Sequence, residues 1–150
     1  MNEQQKTPAS HDDTMQISTF TLDGTLCGID IVLVQEINGD LSFTPVPLSE
    51  DYVLGVMNLR GQIVTVIDQS RKIGFAPVKI TPESRVIIVR SGGESIGVVV
   101  DQVKEVVTLD RKAITKPPSN IKGSQGKFFS GVFQTERHEL LALLDIDEIL

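Results

Sequence analysis

Arg60 stands in the run Gly55-Val56-Met57-Asn58-Leu59-Arg60-Gly61, directly before the apolar alternation from Gln62 to Asp68. A guanidinium presents fixed N–H donors and does not lose its proton. An arginine on such a glycine-flanked turn therefore suits recognition of a carboxylate or carbonyl better than proton transfer. The acid best placed to meet it is Glu36, in Val34-Gln35-Glu36-Ile37. If Val34 and Glu36 share one strand face, the Glu36 carboxylate lies beside apolar surface and needs a partner. Arg60 could supply it in a bidentate pair. On the residues alone, an ordinary surface ion pair worth ~0–1 kcal/mol is the simpler account.

Groups that could carry a reaction are poorly arranged for one. His11 lies in a polar N-terminal stretch and His138 in a polar turn, neither beside an orienting carboxylate. His138-Glu139 lacks the second histidine of a zinc-protease helix. Asp145-Ile146-Asp147 resembles a metal-binding pair, yet Asp145 closes the run Leu140 to Leu144 and Asp147 is placed to cap a final helical turn. Asp68 and Asp101 end apolar runs in the same way and read as turn or cap residues. Gly123-Ser124-Gln125-Gly126-Lys127 follows Pro117-Pro118 rather than a strand, so it reads as a loop and not a phosphate cradle. The expectation is no catalysis, no metal and no cofactor.

Bulk properties narrow the partners. The chain has 150 residues, 40% of them apolar, enough for one ordinary domain or two very small ones. A net charge of -6 argues against a nucleic-acid partner. Cys27 is the only cysteine; it lies in the apolar run Leu26 to Ile29, which excludes an internal disulfide and fits a reducing compartment. No apolar run approaches the ~20 residues needed to cross a bilayer, and the first residues lack the parts of a signal peptide. The reading is a cytoplasmic protein without membrane insertion, with residues 1–14 as a disordered tail and 15–150 as the folded part.

The elements that must position Arg60 and Glu36 are mostly strands. Ile17 to Leu22 leads into Asp23-Gly24, a two-residue hairpin signal, and a return strand from Leu26. Further strands are predicted over Phe43–Leu48, Ile63–Ile67, Arg85–Arg90, Ser95–Asp101, Val103–Leu109 and Glu139–Leu144. Two short helices are predicted, one over Glu50–Leu54 after Ser49 and one starting near Asp147.

The chain also repeats itself. Laying Phe20 to Ile37 on Val89 to Val106 pairs Gly24 with Gly93, Gly28 with Gly97, Val34 with Val103 and Glu36 with Glu105. Pro45 and Pro47 then answer Pro117 and Pro118, Gly55-Val56 answers Gly131-Val132, and Ile63 to Asp68 answers Leu140 to Asp145. Each half, approximately 15–78 and 79–150, is expected to run hairpin, strand, proline segment, Gly-Val turn and a strand ending in Asp. Units this small need each other for a core, and closing each into a barrel would hide its edges. Whether strands pass between the halves is left open by the sequence.

Taken in order, these blocks closely resemble the CheW family of chemotaxis coupling proteins. The resemblance runs from Met15 to Leu150 and rests on F-x-L (Phe20, Leu22), G-I-D-I-x-x-V-Q-E-I (Gly28 to Ile37), T-P-V-P (Thr44 to Pro47), G-V-x-N-L-R-G (Gly55 to Gly61), V-I-D (Val66 to Asp68), I-G-x-V-V-D (Ile96 to Asp101) and a terminal L-D-I. It implies an all-β fold of two five-stranded barrels side by side, with short helices. It also implies a non-enzymatic scaffold that binds the cytoplasmic tip of a chemoreceptor and the regulatory domain of a CheA-type histidine kinase. Such a protein would be a monomer when isolated, recruited to receptor arrays at the inner membrane.

By position, the resemblance carries over Glu36 and Arg60, with Asn58 and Gly61 of the same turn, as receptor- and kinase-binding residues. Val34 and Val103 would line the receptor seam, and Ile121 would fill a second kinase contact in Ser119-Asn120-Ile121-Lys122. Thr65 replaces a common proline of the family, and Gln69-Ser70 replace a common Leu-Arg. Two alternatives accompany this reading: the CheW-like half of an adaptor that carries a receiver domain elsewhere, for which a chain ending at Leu150 leaves no room, and a coupling protein of a non-flagellar pathway.

Overall fold

Asp23-Gly24 and Gly92-Gly93 turn two strands back on their neighbours with left-handed backbone at every one of the four residues (φ 51°, 76°, 58° and 84°). These two hairpins sit at the centres of two sheets. The computed structural model describes residues 13–116 and 128–150. Its strands are β1 (Thr14–Leu22), β2 (Thr25–Asp30), β3 (Val34–Asn38), β4 (Val53–Leu59), β5 (Gln62–Ile67), β6 (Arg85–Ser91), β7 (Glu94–Val100), β8 (Gln102–Asp110), β9 (Phe129–Gln134) and β10 (Leu140–Leu144). The helices are α1 (Gln69–Ile73) and α2 (Ile146–Ile149), with single 3-10 turns at Ile31–Leu33 and Arg111–Ala113. Thr14 opens β1; residues 1–12 of the expected tail, with His11, lie outside the described residues, as do Ile121 and the Gly123–Lys127 loop.

The strand orders are β8-β1-β2-β10-β9 in sheet one and β3-β6-β7-β5-β4 in sheet two. Replacing each strand by its counterpart in the repeat converts one order into the other. Each sheet thus takes its hairpin from one repeat and its other three strands from the other repeat. The chain crosses from sheet one to sheet two at Ile31–Leu33, and back at Asp101, between β7 and β8.

Neither sheet is a closed barrel. Each is drawn together at one point where chain beyond an edge strand reaches the opposite edge. Thr44, past β3, exchanges two backbone hydrogen bonds with Val56 of β4 (2.8 and 2.9 Å), and Thr115, past β8, does the same with Val132 of β9 (2.9 and 2.8 Å). The glycines before these valines make the crossings possible. A Cβ on Gly55 would lie 2.5 Å from the Thr44 carbonyl oxygen, and one on Gly131 2.9 Å from that of Thr115. The repeated Gly-Val pair therefore lies within β4 and β9, not in turns as the sequence suggested.

Three apolar cores result among the described residues. The largest lies between the sheets and joins Phe20, Cys27 and Ile29 of sheet one with Ile87, Val89, Val98 and Val100 of sheet two, closed by Ile73 of α1 and Ile149 of α2. A second lies inside sheet two around Met57, Leu59, Val64, Val66, Val86, Ile88 and Val99. The third lies inside sheet one around Ile17, Leu109, Leu141 and Leu143.

The local differences from expectation have local causes. Phe43–Leu48 makes only the Thr44 bridge, because Pro45 and Pro47 have no N–H for a ladder. Glu50–Leu54 is not helical; Val53 pairs with Ile67 and Leu54 belongs to β4, so pairing overrides the cap at Ser49. Asp68 does cap a helix, accepting from the Ser70 N–H at 3.0 Å, and α1 ends at Gly74 with φ 90°. Asp145, not Asp147, caps α2, accepting from the Glu148 N–H at 3.3 Å. Asp147 instead accepts from the Ser91 hydroxyl at 2.5 Å. No helix among the described residues is long and apolar enough to cross a membrane.

Candidate functional site

Leu59 pairs with Gln62, so Arg60 and Gly61 are the two central residues of the β4–β5 hairpin. Both have left-handed backbone, φ 51° at Arg60 and 86° at Gly61, the type I′ turn that a right-twisted hairpin prefers. Gly61 adopts that conformation freely, whereas a long side chain there costs about 1 kcal/mol or more. The Asn58 side chain helps hold the turn, its Oδ1 accepting the Gly61 N–H at 2.9 Å. The result is a guanidinium projected from a stiff turn with 76% of its side chain exposed.

Glu36 is aimed at that turn by a bulge. On β3, Val34 pairs with Val89 but Glu36 pairs with Ile88, so Gln35 is an extra residue, its Oε1 taking a hydrogen bond from Ser95 at 2.7 Å. A bulge resets the two-residue alternation of side chains. Val34 therefore faces the core between the sheets with Val89, and Glu36 faces the core inside sheet two with Ile88. Val34 and Glu36 therefore do not share a face. Arg60 Nη1 donates to Glu36 Oε1 at 2.6 Å, and Asn38 Nδ2 donates to Oε2 at 3.4 Å. The expected ion pair thus forms, through one guanidinium nitrogen rather than as a bidentate fork. With Arg60 this exposed, the pair adds little stability.

Val34 and Val103, paired by the repeat, are equivalent here. Val103 lies opposite Phe20 on β1 as Val34 lies opposite Val89 on β6, and both pack half-buried against the core between the sheets. They mark the seam between the two sheets. Glu36, Asn58, Arg60 and Gly61 gather at the open end of sheet two, away from that face.

Sequence reasoning passed over exposed apolar side chains beside the seam and the Arg60 turn. Val32, in the crossover turn, is 80% exposed, Ile63 is 67% exposed and Ile37 is 42% exposed. Ile63 lies opposite Asn58, next to the Arg60 turn, while Ile37 lies opposite Ile87 at the margin of the inter-sheet core. Val32 sits in an unbroken apolar run and reads as core; only the 3-10 turn directs it outward. The outward alternation of Ile63 in β5 was legible, since Val64 and Val66 take the inner face.

The two ends of the molecule are not equivalent. In sheet one, Glu105 and Arg137, the counterparts of Glu36 and of the Arg60 turn, line an open groove of about 920 Å³ with Val106 and Leu140. No ion pair joins them. Burial, with a smaller contribution from the Asp101 charge, pushes the Cys27 thiol from 9.0 up to about 12, leaving it unreactive. Among the described residues no cluster of His, Cys, Asp and Glu could hold a metal.

Residues 16–150 match the family model described as the CheW-like domain. The "Chemotaxis protein CheW" of Klebsiella aerogenes is 34% identical over 131 residues, which cover 87% of this chain and 78% of that one. The protein of the same name from Thermotoga maritima is 28% identical over 145 residues, 97% of this chain and 93% of that one. A solved structure, the scaffolding protein TtCheW of Thermoanaerobacter tengcongensis, superposes with a TM-score of 0.80 at 32% identity, covering 88% of this chain and 84% of that one. In sequence and in fold, the chain belongs to the CheW-like domain family.

Proposed function

We propose that this protein is a non-enzymatic chemotaxis scaffold that couples the cytoplasmic tip of a chemoreceptor to the regulatory domain of a CheA-type histidine kinase. Family membership supports the class of function, and the observation that carries the mechanism is the Arg60 turn. A residue with fixed donors is held, at a cost in backbone energy, in an exposed turn and anchored at one end only to Glu36. Backbone strain retained at an exposed polar position fits recognition better than folding.

The kinase domain would dock on the open end of sheet two, with Arg60 at its centre, Ile63 as an apolar contact and Asn58 and Gly61 holding the turn. The receptor tip, a long helix, would lay apolar side chains along the inter-sheet seam beside Val34 and Val103, where Val32 and Ile37 add exposed apolar surface. Ile121 remains the candidate for a second kinase contact. A complex of this kind works at receptor arrays on the cytoplasmic side of the inner membrane. Reconstituting receptor, kinase and Arg60→Ala protein tests the reading: the variant should melt normally and fail to support kinase activation. Full activation by a normally folded variant would reject the role.

A further inference from the structure

We infer that Asn38 is a positioning residue for the Glu36–Arg60 pair, holding the second oxygen of Glu36 so that most of the Arg60 guanidinium stays free for a carboxylate on the bound partner. Asn38 lies opposite Val86 as Glu36 lies opposite Ile88, so the two side chains share the inner face of sheet two. Its amide orientation is set from the backbone: Asn38 Oδ1 accepts the Asp40 N–H at 2.8 Å, an Asx turn at the end of β3. With the oxygen so engaged, Nδ2 points back along the strand to Glu36 Oε2 at 3.4 Å.

A carboxylate beside an arginine tends to turn both oxygens onto the guanidinium in a two-pronged fork. Here Arg60 Nη1 takes Oε1 at 2.6 Å while Asn38 competes for Oε2. At 3.4 Å the amide bond steers rather than anchors. Nε and Nη2 of Arg60 have no partner among the described residues, and the side chain is 76% exposed. A planar pair of donors left open in this way matches a carboxylate, and Ile63 alongside favours an acidic side chain set in apolar surroundings. The choice of partner group rests on the proposed function; the positioning of the pair does not.

Two measurements on wild type, Asn38→Ala, Arg60→Ala and the double variant test this. The first is ¹⁵N relaxation of the Arg60 Nε–H in the isolated protein. In Asn38→Ala the Glu36 carboxylate should close on Arg60 with both oxygens, and the Nε–H should become more rigid. The second is affinity for a CheA-type regulatory domain, which Asn38→Ala should lower about tenfold, roughly one charge-assisted hydrogen bond. On the Arg60→Ala background the same change should cost less than about twofold, because Asn38 acts only through the pair. Unchanged or looser Nε–H relaxation in Asn38→Ala, or a full loss persisting without Arg60, would overturn the inference. Wild-type affinity in Arg60→Ala would instead overturn the kinase-docking reading, with the relaxation experiment still deciding the role of Asn38.

Discussion

Val34 and Glu36, two residues apart on one strand, face opposite sides of their sheet because Gln35 bulges between them. Val34 belongs to the seam between the sheets and Glu36 to the open end of sheet two. If the receptor uses the first surface and the kinase the second, the two activities should separate genetically. Val34→Thr, which keeps shape but adds a hydroxyl, should weaken binding of a receptor fragment by about 3- to 10-fold while leaving kinase-domain affinity unchanged. Glu36→Gln should do the reverse. Parallel titrations against both fragments decide it, and equal losses in both would mean one shared surface.

The crossings that draw each sheet together make a stability prediction independent of function. Gly55→Ala places a methyl 2.5 Å from the Thr44 carbonyl at a backbone φ of 152°. It should cost roughly 2–4 kcal/mol in urea unfolding. Gly131→Ala should behave similarly at Thr115, whereas Gly61→Asn, with open space around it and a side chain that tolerates left-handed backbone, should cost less than about 1 kcal/mol.

If Arg60 is kept for recognition, its left-handed backbone should cost the fold some stability. Arg60→Asn puts the preferred residue at the first central position of a type I′ turn and removes only an exposed ion pair. The variant should be at least as stable as wild type, by up to about 1 kcal/mol, while losing kinase coupling. A drop in stability of more than about 1 kcal/mol would show that Arg60 serves the fold.

Much of this was legible in sequence. The repeat exposed the duplicated element order because Gly24/Gly93, Val34/Val103 and Gly55/Gly131 occupy matching positions that backbone geometry and packing constrain. Arg60 and Glu36 were legible as a pair because each stands among apolar or glycine neighbours. The bulge was not, since nothing distinguishes Gln35 from an ordinary strand residue until β6 supplies its register. Nor was the exchange of hairpins between sheets, which depends on where the chain crosses at Ile31–Leu33 and Asp101. Helix α1 has five residues, too few for a helical period, and its buried Gln69 and Ser70 carry no apolar signal.

Cys27 predicts a pH dependence. Its thiol titrates near 9.0 when unfolded and near 12 when folded, through burial first and the Asp101 charge second. The folded state holds the proton more tightly, so this contribution to stability is complete below pH 9 and is lost as pH rises from 9 towards 12, at up to about 1.4 kcal/mol per pH unit. Comparing wild type with Cys27→Ala over that range isolates the slope. In native protein at about pH 8 the thiol should react with alkylating reagents only as fast as the protein opens.

If the Arg60 turn, held by Glu36, is the surface the kinase domain recognises, removing the guanidinium should cost binding and not stability. Calorimetric titration of wild type and Arg60→Ala against a CheA-type regulatory domain tests it most directly, with thermal unfolding of both proteins measured alongside. The affinity loss should be at least about 30-fold, the scale of removing one member of a charged interfacial contact, with an unchanged or higher melting temperature. Equal affinity for the two proteins would contradict it.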